Sequence, residues 1–138
     1  MMSEDIKDFR LFMDRRAHIA GAYVEGDYSP LDGLVARASA ATFFGPGGDF
    51  VQGADSVAER YATDAASFEP GGETELEVLQ MGAGEDIAYW VGFQTARAKL
   101  AGKEELVPMK LRVTEIFRRE GGEWKLVHRH ADMAKTGE

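Results

Sequence analysis

The chain has no cysteine, three histidines and four prolines, and it is short of base: 16 lysines and arginines face 24 acids, a formal net charge of −8 over 138 residues. Without thiols there is no disulfide, thiolate zinc site, iron–sulfur cluster or cysteine nucleophile. The acid excess repels phosphate backbones and anionic headgroups, so neither nucleic acid nor a membrane is an expected partner. No apolar run approaches the roughly 18 residues of a membrane helix. The opening MMSEDIKDFRLF carries acids where a secretory signal has bases, and the expected location is therefore cytoplasmic. What is present suffices for one core: 44% of residues are hydrophobic, and the length suits a single domain over residues 1–138.

The first half reads as helical. Ser3 caps a helix with Glu4 and Asp5 in its first turn, and Ile6, Phe9, Met13, Ala17, Ala20 and Val24 recur at helical spacing up to Gly26. Ser29-Pro30-Leu31-Asp32 opens a second short helix, expected to run to about Ala38. Ala41 to Phe44 suits a short strand before the turn Gly45-Pro46-Gly47-Gly48-Asp49. Ser56 and Glu59 have capping-box spacing ahead of Val57, Tyr61, Ala65 and Phe68, which predicts a third helix. After Pro70-Gly71-Gly72 the period becomes alternating and predicts four strands, at about residues 73–82, 86–98, 106–119 and 123–133. Two are longer than the usual five or six residues. The sheet must therefore twist and bend, and Gly92 is the expected bend. Helices followed by a meander predict an α+β fold with the helices on one sheet face.

Alternation assigns the faces. Met109, Leu111, Val113, Glu115 and Phe117 form one side of their strand, and the other side carries Lys110, Arg112 and Arg118, so the first side is expected inward. By the same count Ile87, Tyr89, Val91, Phe93 and Thr95 are placed inward in preference to Ala88, Trp90, Gly92, Gln94 and Ala96. Glu115 is then an acid on an apolar face, where it needs a partner or must keep its proton. The last strand has no plainly apolar side, and its register depends on the turn. A two-residue Gly121-Gly122 turn pairs Glu115 with His128; a three-residue loop from Glu120 sets Glu115 opposite Val127 and diagonal to Arg129.

The segments Arg112-Val113-Thr114-Glu115-Ile116-Phe117-Arg118-Arg119 and Trp124-Lys125-Leu126-Val127-His128-Arg129-His130, with the glycines between them, resemble the closing hairpin of nuclear transport factor 2-like domains. Ile87-Ala88-Tyr89 and Phe43-Phe44-Gly45-Pro46-Gly47 agree with that pattern. It is most similar to SnoaL-like and ketosteroid isomerase-like proteins, and the hairpin also looks similar to the association domain of calcium/calmodulin-dependent kinase II. The resemblance implies a cone-shaped curved antiparallel sheet, about three N-terminal helices on its concave face, a pocket between them, and a homodimer through the convex face. It favours the three-residue loop, which places Trp90, Trp124, His128 and His130 on that dimer face. The isomerase chemistry transfers poorly: the general-base position falls on Gly45, the oxyanion-hole tyrosine near Ile19, and only the second oxyanion acid finds a counterpart, at Glu115. The SnoaL cyclase aspartate falls on Arg129.

Two readings of function follow. In one, a small apolar carbonyl or acid compound sits against Tyr23, Tyr89, Val91, Phe93, Val113 and Phe117, with Glu115 and Arg129 as the catalytic pair of an isomerase, hydratase or cyclase. In the other, Glu115 and Arg129 form a structural ion pair, the pocket is vestigial, and the chain is a noncatalytic association module. Neither reading requires a cofactor. No metal is expected either, because His128 and Asp132 lie about 13 Å apart along a strand, too far to share one ion.

Overall fold

The computed structural model describes residues 3–135. Helix α1 (Glu4–Val24) begins where expected, with the Ser3 hydroxyl accepting the Ile6 N–H at 3.2 Å. It buries Phe9, Phe12, Met13, Arg16, Ile19, Ala20 and Val24. Helix α2 (Ser29–Asp32) is a single turn rather than a helix to Ala38. The chain leaves it to pair with the last strand: the Ala36 N–H donates to the Leu126 carbonyl at 3.0 Å, and the Leu126 N–H to the Leu34 carbonyl at 2.9 Å. Strands β1 (Thr42–Phe44) and β2 (Phe50–Gln52) form a hairpin around the glycine turn, the second strand being unforeseen. Helix α3 (Ala54–Ala65) starts two residues before Ser56, after Gly53, and uses no side-chain cap.

Four long strands complete the chain: β3 (Phe68–Ala83), β4 (Ile87–Leu100), β5 (Val107–Glu120) and β6 (Glu123–Met133). The sheet order is β2-β1-β6-β5-β4-β3. β1 runs parallel to β6, so this open sheet is mixed and not wholly antiparallel. β3 begins five residues earlier than its alternation suggested, because Phe68 and Glu69 pair with Leu100 and Lys99 before a register shift over Pro70-Gly71-Gly72. A second shift falls between Val78 and Gln80, opposite Gly92 and Val91. There the β3 backbone presses on β4, and a Cβ at Gly92 would stand 1.9 Å from the Glu77 carbonyl oxygen. The long strands bend where a side chain has no room.

The closing hairpin follows neither sequence alternative. Its turn is the two-residue Gly121-Gly122, with φ of 60° and 83°, and it keeps Phe117 opposite Leu126. A bulge at Val127 then advances the register by one, so Ile116 meets His128 and Glu115 meets Arg129. The bulge explains why neither side of β6 looked apolar. Trp124 and Leu126 face inward before it, and Arg129 and Ala131 after it.

Burial inverts the expected faces of β4. Ala88, Trp90, Ala96 and Ala98 are buried, whereas Ile87 and Tyr89 are exposed. Counting apolar residues failed here because the inner side of β4 sets three alanines and Gly92 around one large side chain, Trp90, while the outer side carries the longer apolar run. Phe9, Phe12, Phe117 and Trp124 pack with ring centroids 5.1–5.7 Å apart beneath the first half of α1. Removing one such ring costs about 3–5 kcal/mol.

Candidate functional site

The aromatic cluster fills one end of the space between α1 and the sheet. At the other end lies a cavity of about 250 Å³ between α1, α3 and the inner faces of β4, β5 and β6. Its walls are largely apolar, with Val24, Leu31, Phe43, Phe68, Met109 and Leu111 among them. That volume is below the roughly 300–1,000 Å³ of pockets that take drug-sized ligands. It suits a compact molecule.

A buried ionic network separates the cavity from the aromatic end. Glu115 has no exposed surface, and its carboxylate accepts four hydrogen bonds: Arg16 Nε at 2.9 Å, Arg16 Nη2 at 2.8 Å, Trp90 Nε1 at 2.8 Å and Arg129 Nη1 at 2.7 Å. Every lone-pair position of the carboxylate is used. Burial pushes the Glu115 carboxyl up, but the charges and hydrogen bonds of Arg16 and Arg129 outweigh it and hold the group at about 2. Glu115 is thus ionised and fully engaged, and it is not among the residues lining the cavity. Arg16 and Arg129 do line it. Two guanidiniums against one carboxylate leave the network with one excess positive charge at the cavity's inner end.

Arg129 spans the network and the cavity. Its Nη1 donates to Glu115, its Nη2 donates to Gln94 Oε1 at 2.7 Å, and Gln94 is in turn fixed by its Nε2 donating to Thr74 Oγ1 at 3.1 Å. On the facing wall the Tyr23 hydroxyl donates to the Tyr61 carbonyl at 3.0 Å. The Tyr61 hydroxyl is buried, finds no hydrogen-bond partner and belongs to a lining residue. A hydroxyl left in that state costs about 1–3 kcal/mol. Burial raises the pKa of both phenols, with Arg129 pulling in the opposite direction, so both stay protonated donors near neutral pH. Asp64 is the carboxylate of the lining, and both its oxygens accept from Arg60 Nε, at 3.1 and 2.9 Å.

The structure brings Glu115, Arg129 and Tyr23 to this region and moves the other expected wall residues elsewhere. Tyr89, Val91 and Phe93 lie on the outer face of β4, because the strand presents Trp90, Gly92 and Gln94 inward. Val113 and Phe117 do face inward, but they belong to the buried core and not to the cavity lining. Trp90 and Trp124 are corrected from the convex surface to the interior. The first bonds Glu115; the second packs on Phe9 and donates its indole N–H to Asp8 Oδ2 at 2.9 Å. His128 and His130 are on the outer face, each edge-on to Phe44 at 5.0 and 5.6 Å. His128 Nδ1 also bonds Thr42 Oγ1 at 2.7 Å, and burial lowers the His128 pKa, with His130 adding to the effect.

The sequence reading passed over Arg16, Tyr61 and Gln94. Arg16 had a visible signal: it sits three residues after Met13 and four before Ala20, on the apolar stripe of α1. Tyr61 looked like an ordinary helix-face aromatic. At Gly45 an acid would not fit without rearrangement, because a Cβ there would lie 2.5 Å from Asp49 Oδ1. No group of three or more metal-ligating side chains occurs among the described residues, and Asp132 is held by Arg112 at 2.6 and 2.8 Å.

A pocket set between a helix layer and one face of a curved open sheet defines an α+β protein of the nuclear transport factor 2-like class. A family model described as the SnoaL-like domain matches residues 15–135, and the chain belongs to that family. No curated protein matches the sequence. Among solved structures, a candidate dehydratase of the NTF2-like family from Streptomyces avermitilis is 21% identical, with a TM-score of 0.79 over 96% of this chain and 99% of that one. An NTF2-like superfamily protein from Salmonella enterica serovar Typhimurium is 17% identical, with a TM-score of 0.76 over 95% and 92%. The association domain of C. elegans CaMKII is 16% identical, with a TM-score of 0.71 over 94% and 98%. At these identities the likeness carries the fold and not the chemistry.

Proposed function

We propose that the chain is a small-molecule-binding protein whose ligand, a compact apolar compound with a carbonyl or an acid, occupies the cavity between α1, α3 and the sheet. The observation that carries this reading is the composition of the cavity: apolar walls with one polar end, where Arg129 is held in place by Glu115 and Gln94. Isomerase, hydratase or dehydratase chemistry is the activity that fits such a ligand. Glu115, with no free lone pair, serves this function by positioning Arg129 rather than by moving a proton. The test is a thermal-shift screen of small apolar acids and carbonyl compounds against the wild type and Ala20→Leu, which fills the cavity from α1. Compounds that stabilise the wild type are expected to leave the filled variant unmoved. Equal shifts in both proteins would overturn the reading.

A second reading rests on the outer sheet face. Ile87, Tyr89 and Leu79 are exposed there beside half-buried Val91, Phe93 and Ile116. The face of a sheet turned to water normally alternates to polar residues. This face is therefore suited to a homodimer, with His128 and His130 at its margin, and a chain that used only this face would be an association module with a vestigial pocket. The fold likeness to the CaMKII association domain supports it.

A further inference from the structure

The polar end of the cavity carries more specific information than its size. Its inner network holds one positive charge in excess, contributed by two arginines that both reach the lining, whereas Asp64 on the α3 side of the lining shares Arg60 with Asp49. A net charge held away from water is costly unless it meets an opposite charge. Arg129 uses one proton on each Nη for protein partners, and among the described residues its remaining N–H groups have none. On α3, the Tyr61 hydroxyl is the other orphan donor of the lining, and of the charged groups acting on it Arg129 acts most strongly. Two unengaged donors, one cationic, thus belong to lining residues of the same small apolar space.

We infer that Arg129 and the Tyr61 hydroxyl together receive the head of an anionic ligand, a monocarboxylate on a compact apolar body, in preference to a neutral carbonyl or alcohol. A carboxylate supplies what both groups lack: a charge to balance the network and two oxygens to accept their protons. Its apolar body then lies against Leu31, Phe43, Met109 and Leu111. This assignment rests on the small-molecule reading above and narrows it to one charge class.

The experiment is calorimetric titration near neutral pH with 2-naphthoate, 2-naphthamide and 2-naphthalenemethanol, which share a body and differ only in the head. The carboxylate is expected to bind at least about tenfold more tightly than either neutral compound, as charge-assisted hydrogen bonds predict. Tyr61→Phe is expected to weaken the carboxylate by about three- to tenfold and leave the alcohol unchanged. Its melting temperature should not fall, because the substitution deletes a hydroxyl that has no partner in the folded protein. Equal affinity for the three heads would overturn the anion assignment and leave the cavity reading standing. No binding by any of the three at millimolar concentration would overturn both. A Tyr61→Phe protein that melts several degrees lower yet binds 2-naphthoate as the wild type does would show the hydroxyl to be structural, and the inference would fail.

Discussion

Glu115 shows how far a single position can be read from sequence, and where that stops. An acid between Val113 and Phe117 on an inward side announces itself by its neighbours. What the sequence could not supply is that the carboxylate would have two guanidiniums and an indole around it, since Arg16 is 99 residues away. Its acid–base behaviour follows from those partners. The folded-state pKa of about 2 lies below the ordinary 4.5 of a glutamate, so on acidification the unfolded chain takes up the proton first. The stabilisation from this group, on the order of 3 kcal/mol, is complete above about pH 4.5 and disappears as the pH falls through about 2. Glu115→Gln leaves both arginines buried without their counter-charge and should cost about 3–5 kcal/mol at neutral pH. Chemical denaturation between about pH 5 and 2.5 checks both statements: the wild-type stability should fall more steeply than that of Glu115→Gln. Parallel slopes would mean that the carboxylate is not the group being titrated.

At the scale of elements, long periodic segments were legible and their junctions were not. α1 follows from its Ser3 cap and its period, and α3 and the four long strands follow from period alone. α2 was overextended because Leu34, Val35 and Ala36 look helical, but Leu34 and Ala36 exchange backbone bonds with Leu126 of β6, a tertiary competitor invisible in the local sequence. The faces of β4 were exchanged for a similar reason. One glycine and three alanines on that strand read as the poorer side, although they lie inward beside the buried Trp90. Arg129 was correctly brought beside Glu115, but through a bulge that no turn rule specifies. Of the residues at the polar end of the cavity, Arg129 was legible and Tyr61 was not, because an orphan hydroxyl exists only in three dimensions. Gly92 carries the element-scale prediction. Gly92→Ala would force a Cβ against the Glu77 carbonyl oxygen, and the β3 bulge must move to admit it. The expected loss is about 2–4 kcal/mol, read as a lower denaturant midpoint. A variant as stable as the wild type would mean that the two backbones do not approach as described.

For the whole molecule, the two faces of the sheet differ: the inner one borders the cavity under α1 and α3, and the outer one leaves Ile87, Tyr89 and Leu79 exposed. If the outer face joins two copies, the protein should sediment as a dimer at micromolar concentration. Ile116→Lys, which puts a charge in the middle of that face, should give a folded monomer with 2-naphthoate affinity unchanged. A wild type that is monomeric at tens of micromolar would rule out this interface. Within the described residues no helix is long and apolar enough to cross a membrane.

The bond between Arg16 and Glu115 also bears on the order in which the molecule assembles. The hairpins of β3 to β6 close over short loops, so their pairings cost little chain entropy and can form early. Arg16 can reach its carboxylate only after α1, at the far end of the sequence, has swung onto the completed sheet. Until then Glu115 and Arg129 are hydrated and the cavity has no roof. Drying the ion network is thus coupled to the docking of α1 across 99 residues of sequence, so a variant that loosens α1 would wet the Glu115 carboxylate and open the cavity together.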